Sequence, residues 1–249
     1  MTKIIAHRGA SKAAPQNTLA AFKKAKAFGA HGFENDVHYT KDGVIVVCHN
    51  YTVEATSNGQ GAISEMTFEE LRKLDFGSYF SPEFAGEKIP TLAEFYEVGK
   101  GLDILNVEIK TPLDNNLSIV KGVIDMAKEC GVFDSLLISS FNEGVLREAR
   151  RLDDHVMTGV LYDPRCEIAE KVMPDPFGFA KDVGATHLHP VFLLVDEDYL
   201  EKAHERGFKV NVWTTNQDYA IKTFIEWGSD GIITDVPDLA LQILKDFSA

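Results

Sequence analysis

Glu34 and Asp36 stand two apart in Phe33-Glu34-Asn35-Asp36-Val37. If that segment is a strand, both project from one face, about 7 Å apart along it. Two carboxylates on one buried face repel each other and are costly to desolvate unless a cation or a proton neutralises them. The apolar neighbours Phe33 and Val37 favour burial over a solvated edge. A third carboxylate, Glu108, ends the run Ile104-Leu105-Asn106-Val107-Glu108, and Lys110 follows at the spacing of a same-face ion pair. His7 ends Lys3-Ile4-Ile5-Ala6-His7, and His49 ends Val44-Ile45-Val46-Val47-Cys48-His49. Carboxylates, imidazoles and cations at the ends of apolar runs are the ingredients of a metal-dependent acid/base site. The oxygen-only donor set suits one Mg²⁺ or Ca²⁺ better than zinc, because hard cations take carboxylates and water.

Short apolar runs must position these groups. Candidate strands are 3–7, 32–38, 44–48, 104–109, 135–140, 156–161, 186–189, 208–213 and 230–234, and helical patterns cover 17–28, 91–99, 114–130, 142–152, 196–206, 216–227 and 236–247. Asn17 and Asp196 read as N-caps, and Gly29, Gly131, Gly207 and Gly228 stand where helix C-caps are expected. Repeated strand–helix units imply a parallel sheet, and about eight of them predict an α/β fold of the TIM (β/α)8 barrel type. An open doubly wound sheet is the alternative, but His7-Arg8-Gly9-Ala10-Ser11 is not its Gly-rich phosphate turn. Residues 51–90 break the rhythm with Gly, Ser, aromatics and one short helix from Thr67 to Leu74. They read as an insertion capping the C-terminal face of a single domain over 1–249.

The net charge of -13 argues against a nucleic-acid partner, which needs a basic surface. An anionic substrate would then need local cations, which Arg8, Lys110 and a divalent metal can supply. Three scattered cysteines match no zinc spacing and suit a reducing compartment. A start directly on a strand leaves no room for a leader, and no apolar run reaches the roughly 20 residues of a membrane span, so the expected location is cytoplasmic. His38 shares the parity of Glu34 and Asp36, as a ligand or, preferably, a residue behind or beside the ligands. His31, His155 and His204 read as structural. Trp213, ending Val210-Asn211-Val212-Trp213, has two readings: core packing, or a wall of the substrate pocket.

These residues, in this order, resemble the glycerophosphodiester phosphodiesterase family. The matches are His7-Arg8-Gly9 with Pro15-Gln16-Asn17-Thr18, Glu34-x-Asp36-Val37-x-x-Thr40-Lys41-Asp42-Gly43 and His49-Asn50. Further on come Thr56-Ser57-Asn58-Gly59, Ile89-Pro90-Thr91-Leu92, Glu108-x-Lys110, Ser140-Phe141, Val212-Trp213-Thr214 and Gly231-Ile232-Ile233-Thr234-Asp235-x-Pro237. The resemblance implies a TIM-type barrel with an inserted cap. It implies metal ligation by Glu34, Asp36 and Glu108, acid/base catalysis by His7 and His49, and phosphate binding by Arg8 and Lys110. It also implies hydrolysis of small glycerophosphodiesters, such as glycerophosphocholine or glycerophosphoethanolamine, to glycerol 3-phosphate and an alcohol. The glycerol 2-hydroxyl would attack phosphorus and water would open the cyclic phosphate, with direct attack by metal-bound water as the alternative. Two positions depart from the family pattern: Gln16 replaces its usual Glu, and Asn50 its usual Asp. Both remove negative charge, which keeps open a barrel that binds glycerophosphodiesters without turnover. A metal-dependent sugar isomerase or aldolase is a further barrel reading, but it does not call for two histidines and an Arg around the cation.

Overall fold

The computed structural model describes residues 1–110 and 116–247. Nine strands form one sheet: β1 (Lys3–His7), β2 (Gly32–Tyr39), β3 (Ile45–Val47), β4 (Ile104–Ile109), β5 (Leu136–Ser140), β6 (Met157–Tyr162), β7 (His187–Pro190), β8 (Lys209–Val212) and β9 (Gly231–Thr234). Their order is β1-β9-β8-β7-β6-β5-β4-β2-β3, and β1 also pairs with β2. That last pairing closes eight parallel strands into a barrel and rules out the open sheet. β3 stands outside the ring and pairs antiparallel with the far end of β2, Val37 opposite Val47.

Ten helices accompany the strands among the described residues: α1 (Leu19–Phe28), α2 (Phe68–Lys73), α3 (Leu92–Gly99), α4 (Ser118–Glu129), α5 (Glu143–Leu152), α6 (Ala169–Val172), α7 (Pro176–Asp182), α8 (Glu197–Glu205), α9 (Asp218–Glu226) and α10 (Pro237–Phe247). The helix expected from 114 begins outside the described residues and is observed from Ser118. The pair α6 and α7 was not anticipated. Both are short, and Pro174, Pro176 and Gly178 interrupt any 3.6-residue period. The signal they do carry is local: Asp175 caps α7 by accepting from Gly178 N–H, and Pro176 opens it.

Strand parity sorts side chains between two environments. Phe33, Val37, Leu105, Val107, Ile138 and Val160 point outward into the helical shell. Phe22 of α1, Phe33 of β2 and Phe95 of α3 form an aromatic cluster there, with ring centroids 4.8 to 6.2 Å apart. Truncating one such buried ring costs about 3–5 kcal/mol. The opposite parity points into the barrel and carries many polar groups: Glu34, Asp36, Asn106, Glu108, Ser139, His189 and Asn211 are all buried there, beside apolar Ile5, Leu137, Leu161 and Ile233. A helical shell rigidified by apolar packing thus holds polar groups at fixed positions on its inner wall.

Residues 51–90 form the expected cap. The segment has its own small core of Val53, Ile63, Leu71, Phe76 and Ile89, joined to Val46 and Cys48. Its helix α2 is closed by a capping box in which Thr67 and Glu70 satisfy each other's backbone N–H. Tyr79 Oη accepts from Gln16 N–H at 3.1 Å, tying the cap to the loop that follows β1 at the C-terminal mouth. No helix among the described residues is long and apolar enough to cross a membrane.

Candidate active site

β2 and β4 lie side by side in a register that sets Asp36 opposite Glu108, and β1 sets His7 opposite Glu34. The inward parity of β2 and β4 then brings three carboxylates together at the C-terminal end. Glu34, Asp36 and Glu108 are buried, with ligand oxygens within 4.8 Å of one another. Burial and the like charges of Asp36 and Glu108 push the Glu34 pKa well above the carboxylate range. Burial likewise raises Glu108 to about 7, and Asp36 adds to that, against the pull of Lys110. Burial would raise Asp36 too, but Lys110, Arg8 and His49 hold it ionised, far below its usual value. Such a donor set is stable only with protons or a cation among the oxygens, and its hard oxygen atoms fit a divalent metal. Among the described residues the other group with metal-like spacing is Asp153, Asp154 and His155, which lies at the surface.

Two cations already touch the trio. Lys110 Nζ lies 2.7 Å from Asp36 Oδ1 and also contacts Glu108 Oε1. Burial alone would lower the Lys110 pKa, but the two carboxylates raise it above the usual range. Arg8 Nε lies 3.4 Å from Asp36 Oδ2, and Arg8 N–H donates to Glu34 Oε2 at 3.0 Å. Arg8 adopts a positive φ of 56°, which aims its backbone N–H at Glu34. The next residue, Gly9, has φ 80°, and a Cβ there would lie 2.7 Å from Ala21 of α1. Only glycine fits that crossing of loop and helix.

His7 and His49 approach the carboxylates from β1 and from the end of β3. His7 Nε2 is 3.9 Å from Glu34 Oε2, and its Nδ1 is 2.6 Å from Asp235 Oδ1. Ser11 Oγ and Asn216 Nδ2 also donate to Asp235, at 2.9 and 2.7 Å. Burial lowers the His7 pKa, opposed by the Asp235 hydrogen bond. His49 Nδ1 is 2.7 Å from Asn50 Oδ1, and burial brings its pKa down to about 4. His38 Nε2 lies 3.3 Å from the His49 carbonyl, and its ring meets Tyr51 edge-on at 5.0 Å. It therefore sits behind His49 and outside the carboxylate trio. Trp213, just past β8, donates from Nε1 to the His189 carbonyl at 2.6 Å and packs edge-on against Phe141 at 5.7 Å.

Two expectations change here. Asn17 is not the N-cap of α1: Thr18 is, its Oγ1 accepting from Ala21 N–H at 3.3 Å. Asn17 instead sits at φ 57° and donates from Nδ2 to Asp36 Oδ2 at 2.8 Å. The second concerns Asp235, which the sequence reading placed only within a motif and which proves to be the partner of His7. Neither contact leaves a local signal, since Asn17 lies 19 residues from Asp36 and Asp235 lies 228 from His7. The substituted positions keep their hydrogen bonds: Arg8 Nη1 donates to Gln16 Oε1 at 2.7 Å, as Asn50 engages His49. His31 accepts from Ile4 N–H, and the exposed His204 pairs with the half-buried Asp230, as structural histidines do.

The model of the glycerophosphoryl diester phosphodiesterase family matches residues 7–239, from the first site histidine to α10. The chain belongs to that family. It is 39% identical over 245 residues, 98% of each chain, to the glycerophosphodiester phosphodiesterase of Caldanaerobacter subterraneus subsp. tengcongensis. It is 32% identical, over 99% of each chain, to the glycerophosphodiester phosphodiesterase of Bacillus altitudinis. An Oleispira antarctica phosphodiesterase, solved in complex with the product sn-glycerol-3-phosphate, superposes with a TM-score of 0.88 at 28% identity over 98% of this chain and 97% of that one. The protein is thus an enzyme of the glycerophosphodiester phosphodiesterase family on a TIM-barrel scaffold, with an acidic cluster able to hold a divalent metal.

Proposed function

We propose that this glycerophosphodiester phosphodiesterase cleaves small diesters such as glycerophosphocholine and glycerophosphoethanolamine in a reaction dependent on Mg²⁺ or Ca²⁺, with His7 and His49 as acid and base. The observation that carries this reading is the trio of Glu34, Asp36 and Glu108, buried within 4.8 Å of one another, with His7 Nε2 beside Glu34. Those three residues would hold the metal, which when bound supplies charge neutralisation at the phosphoryl oxygens. Arg8 and Lys110 add fixed positive charge at the same place and orient the phosphate. Lys110 in this role would share its ammonium between the carboxylates and the incoming anion. One imidazole takes the proton of the attacking glycerol 2-hydroxyl, and the other gives a proton to the leaving alkoxide. Water then opens the cyclic phosphate with the two roles reversed. Each positioned transfer contributes about 10²–10⁴-fold. Trp213, fixed by its bond to the His189 carbonyl, would form a wall beside the glycerol moiety.

A barrel that binds without turnover has less support, because Gln16 and Asn50 preserve the hydrogen bonds a carboxylate would make to Arg8 and His49. Release of glycerol 3-phosphate from glycerophosphocholine, measured with Mg²⁺, with Ca²⁺ and after chelation, tests the reading. Turnover unaffected by chelation would remove the metal from it, and binding without product would restore the non-catalytic alternative.

A further inference from the structure

A cavity of about 810 Å³ opens from the candidate site away from β1, running from His49, Glu108 and Lys110 to the segment that follows β6. Its far wall carries Asp163, Arg165 and Glu167, and Tyr51 and Phe141 line it between the two ends. The near end is cationic toward a phosphate, through Arg8, Lys110 and the metal the carboxylates fit. The far end has the opposite sign. Arg165 is 89% exposed on its side chain, with its Nε 3.5 Å from the buried Asp163 Oδ1, so its charge is both neutralised and solvated. Glu167 has no ion-pair partner among the described residues, which leaves that wall with one net negative charge. Tyr51, 39% exposed, lines the same cavity as Lys110, Glu108 and Glu167.

An anion subsite and an anionic, aromatic-lined subsite in one cavity match a zwitterion: a phosphodiester whose second alcohol bears an ammonium group. Aromatic faces and a carboxylate attract such a head group. We infer that the cavity between Lys110 and Glu167 is the leaving-alcohol subsite and that it selects glycerophosphodiesters of cationic amino alcohols over those of neutral alcohols, with Glu167 and Tyr51 as the residues that set the preference. This inference rests on the proposed hydrolysis and names which of its substrates the site prefers.

Steady-state kinetics on glycerophosphocholine, glycerophosphoethanolamine and glycerophosphoglycerol would test it, with the parent, Glu167→Gln and Tyr51→Leu. The parent is expected to favour the two ammonium diesters in kcat/KM by about tenfold, the combined effect of one exposed charge contact and one cation–π contact. Glu167→Gln should raise KM for both about three- to fivefold with kcat unchanged, and should leave KM for glycerophosphoglycerol equal or lower. Tyr51→Leu should erode the same preference. Equal kcat/KM for all three diesters in the parent, or equal changes for all three in the variants, would overturn the inference while the hydrolase reading stands. Product from none of the three would instead defeat the hydrolase reading, and this inference with it.

Discussion

His7 and His49 are both half-buried and both feel the charge of Asp36, yet different regions of the molecule hold them. His7 belongs to the barrel. Its ring nitrogen faces Asp235, and that carboxylate is fixed in turn by Ser11 and Asn216 from two other loops. His49 belongs to the insertion side. It leaves β3 at the start of the cap, and its partner is the adjacent amide of Asn50, with His38 behind its carbonyl. A carboxylate partner favours the imidazolium, whereas an amide only orients the ring. The barrel side is thus set by distant, charged, multiply held contacts and the cap side by local, neutral ones. The proposed acid/base pair thus has two degrees of electrostatic support.

The largest expected effect falls on what both sides share. Asp36→Asn removes the one carboxylate of the trio held firmly ionised, so metal affinity by calorimetry should collapse and kcat should fall by about 10³-fold or more. Metal affinity and activity both within a factor of a few of the parent would break the account of the site. His7→Ala and His49→Ala should each lower kcat by about 10²-fold or more with metal affinity nearly intact. If only one does so, the other histidine is a bystander and the comparison reduces to a single acid/base residue.

Asp235→Asn should lower kcat by roughly 10–100-fold, the usual cost of removing the residue that orients an essential imidazole. It also takes an anion from His7, so the limb of the pH–kcat profile governed by His7 should move to lower pH. Asn50→Asp runs the other way. A carboxylate 2.7 Å from His49 favours its charged form, so the His49 limb should move to higher pH, with kcat at neutral pH changing less than about tenfold. Opposite displacements would sharpen the distinction between the two sides, and displacements of the same sign would break it. Gln16→Glu should have the smallest effect. It converts a neutral hydrogen bond to Arg8 into a charged one and should alter KM within about threefold.

The barrel was legible because it follows from repetition. Nine apolar runs and their intervening amphipathic segments mark strands and helices from local period alone, and eight strand–helix units leave a closed ring as the economical arrangement. The cap was legible for the opposite reason, as a stretch too long and too irregular to be a connection. α6 and α7 escaped because Pro174, Pro176 and Gly178 break up the apolar spacing across that segment.

Sequence by itself determined that Glu34 and Asp36 would share a face, from the two-residue repeat of a strand, and that His7, Arg8, His49, Glu108 and Lys110 would stand at or beside strand ends, from where the apolar runs stop. Only the tertiary structure decided the register that sets Asp36 beside Glu108. The same is true of the turn that takes Asn17 away from the helix cap and onto Asp36, and of the closure that brings Asp235 to His7. The physical reason is range. Periodicity and capping are energies between residues a few positions apart, whereas these contacts join residues 19, 72 and 228 positions apart and exist only once β2 has paired with β4 and β1 with both β2 and β9.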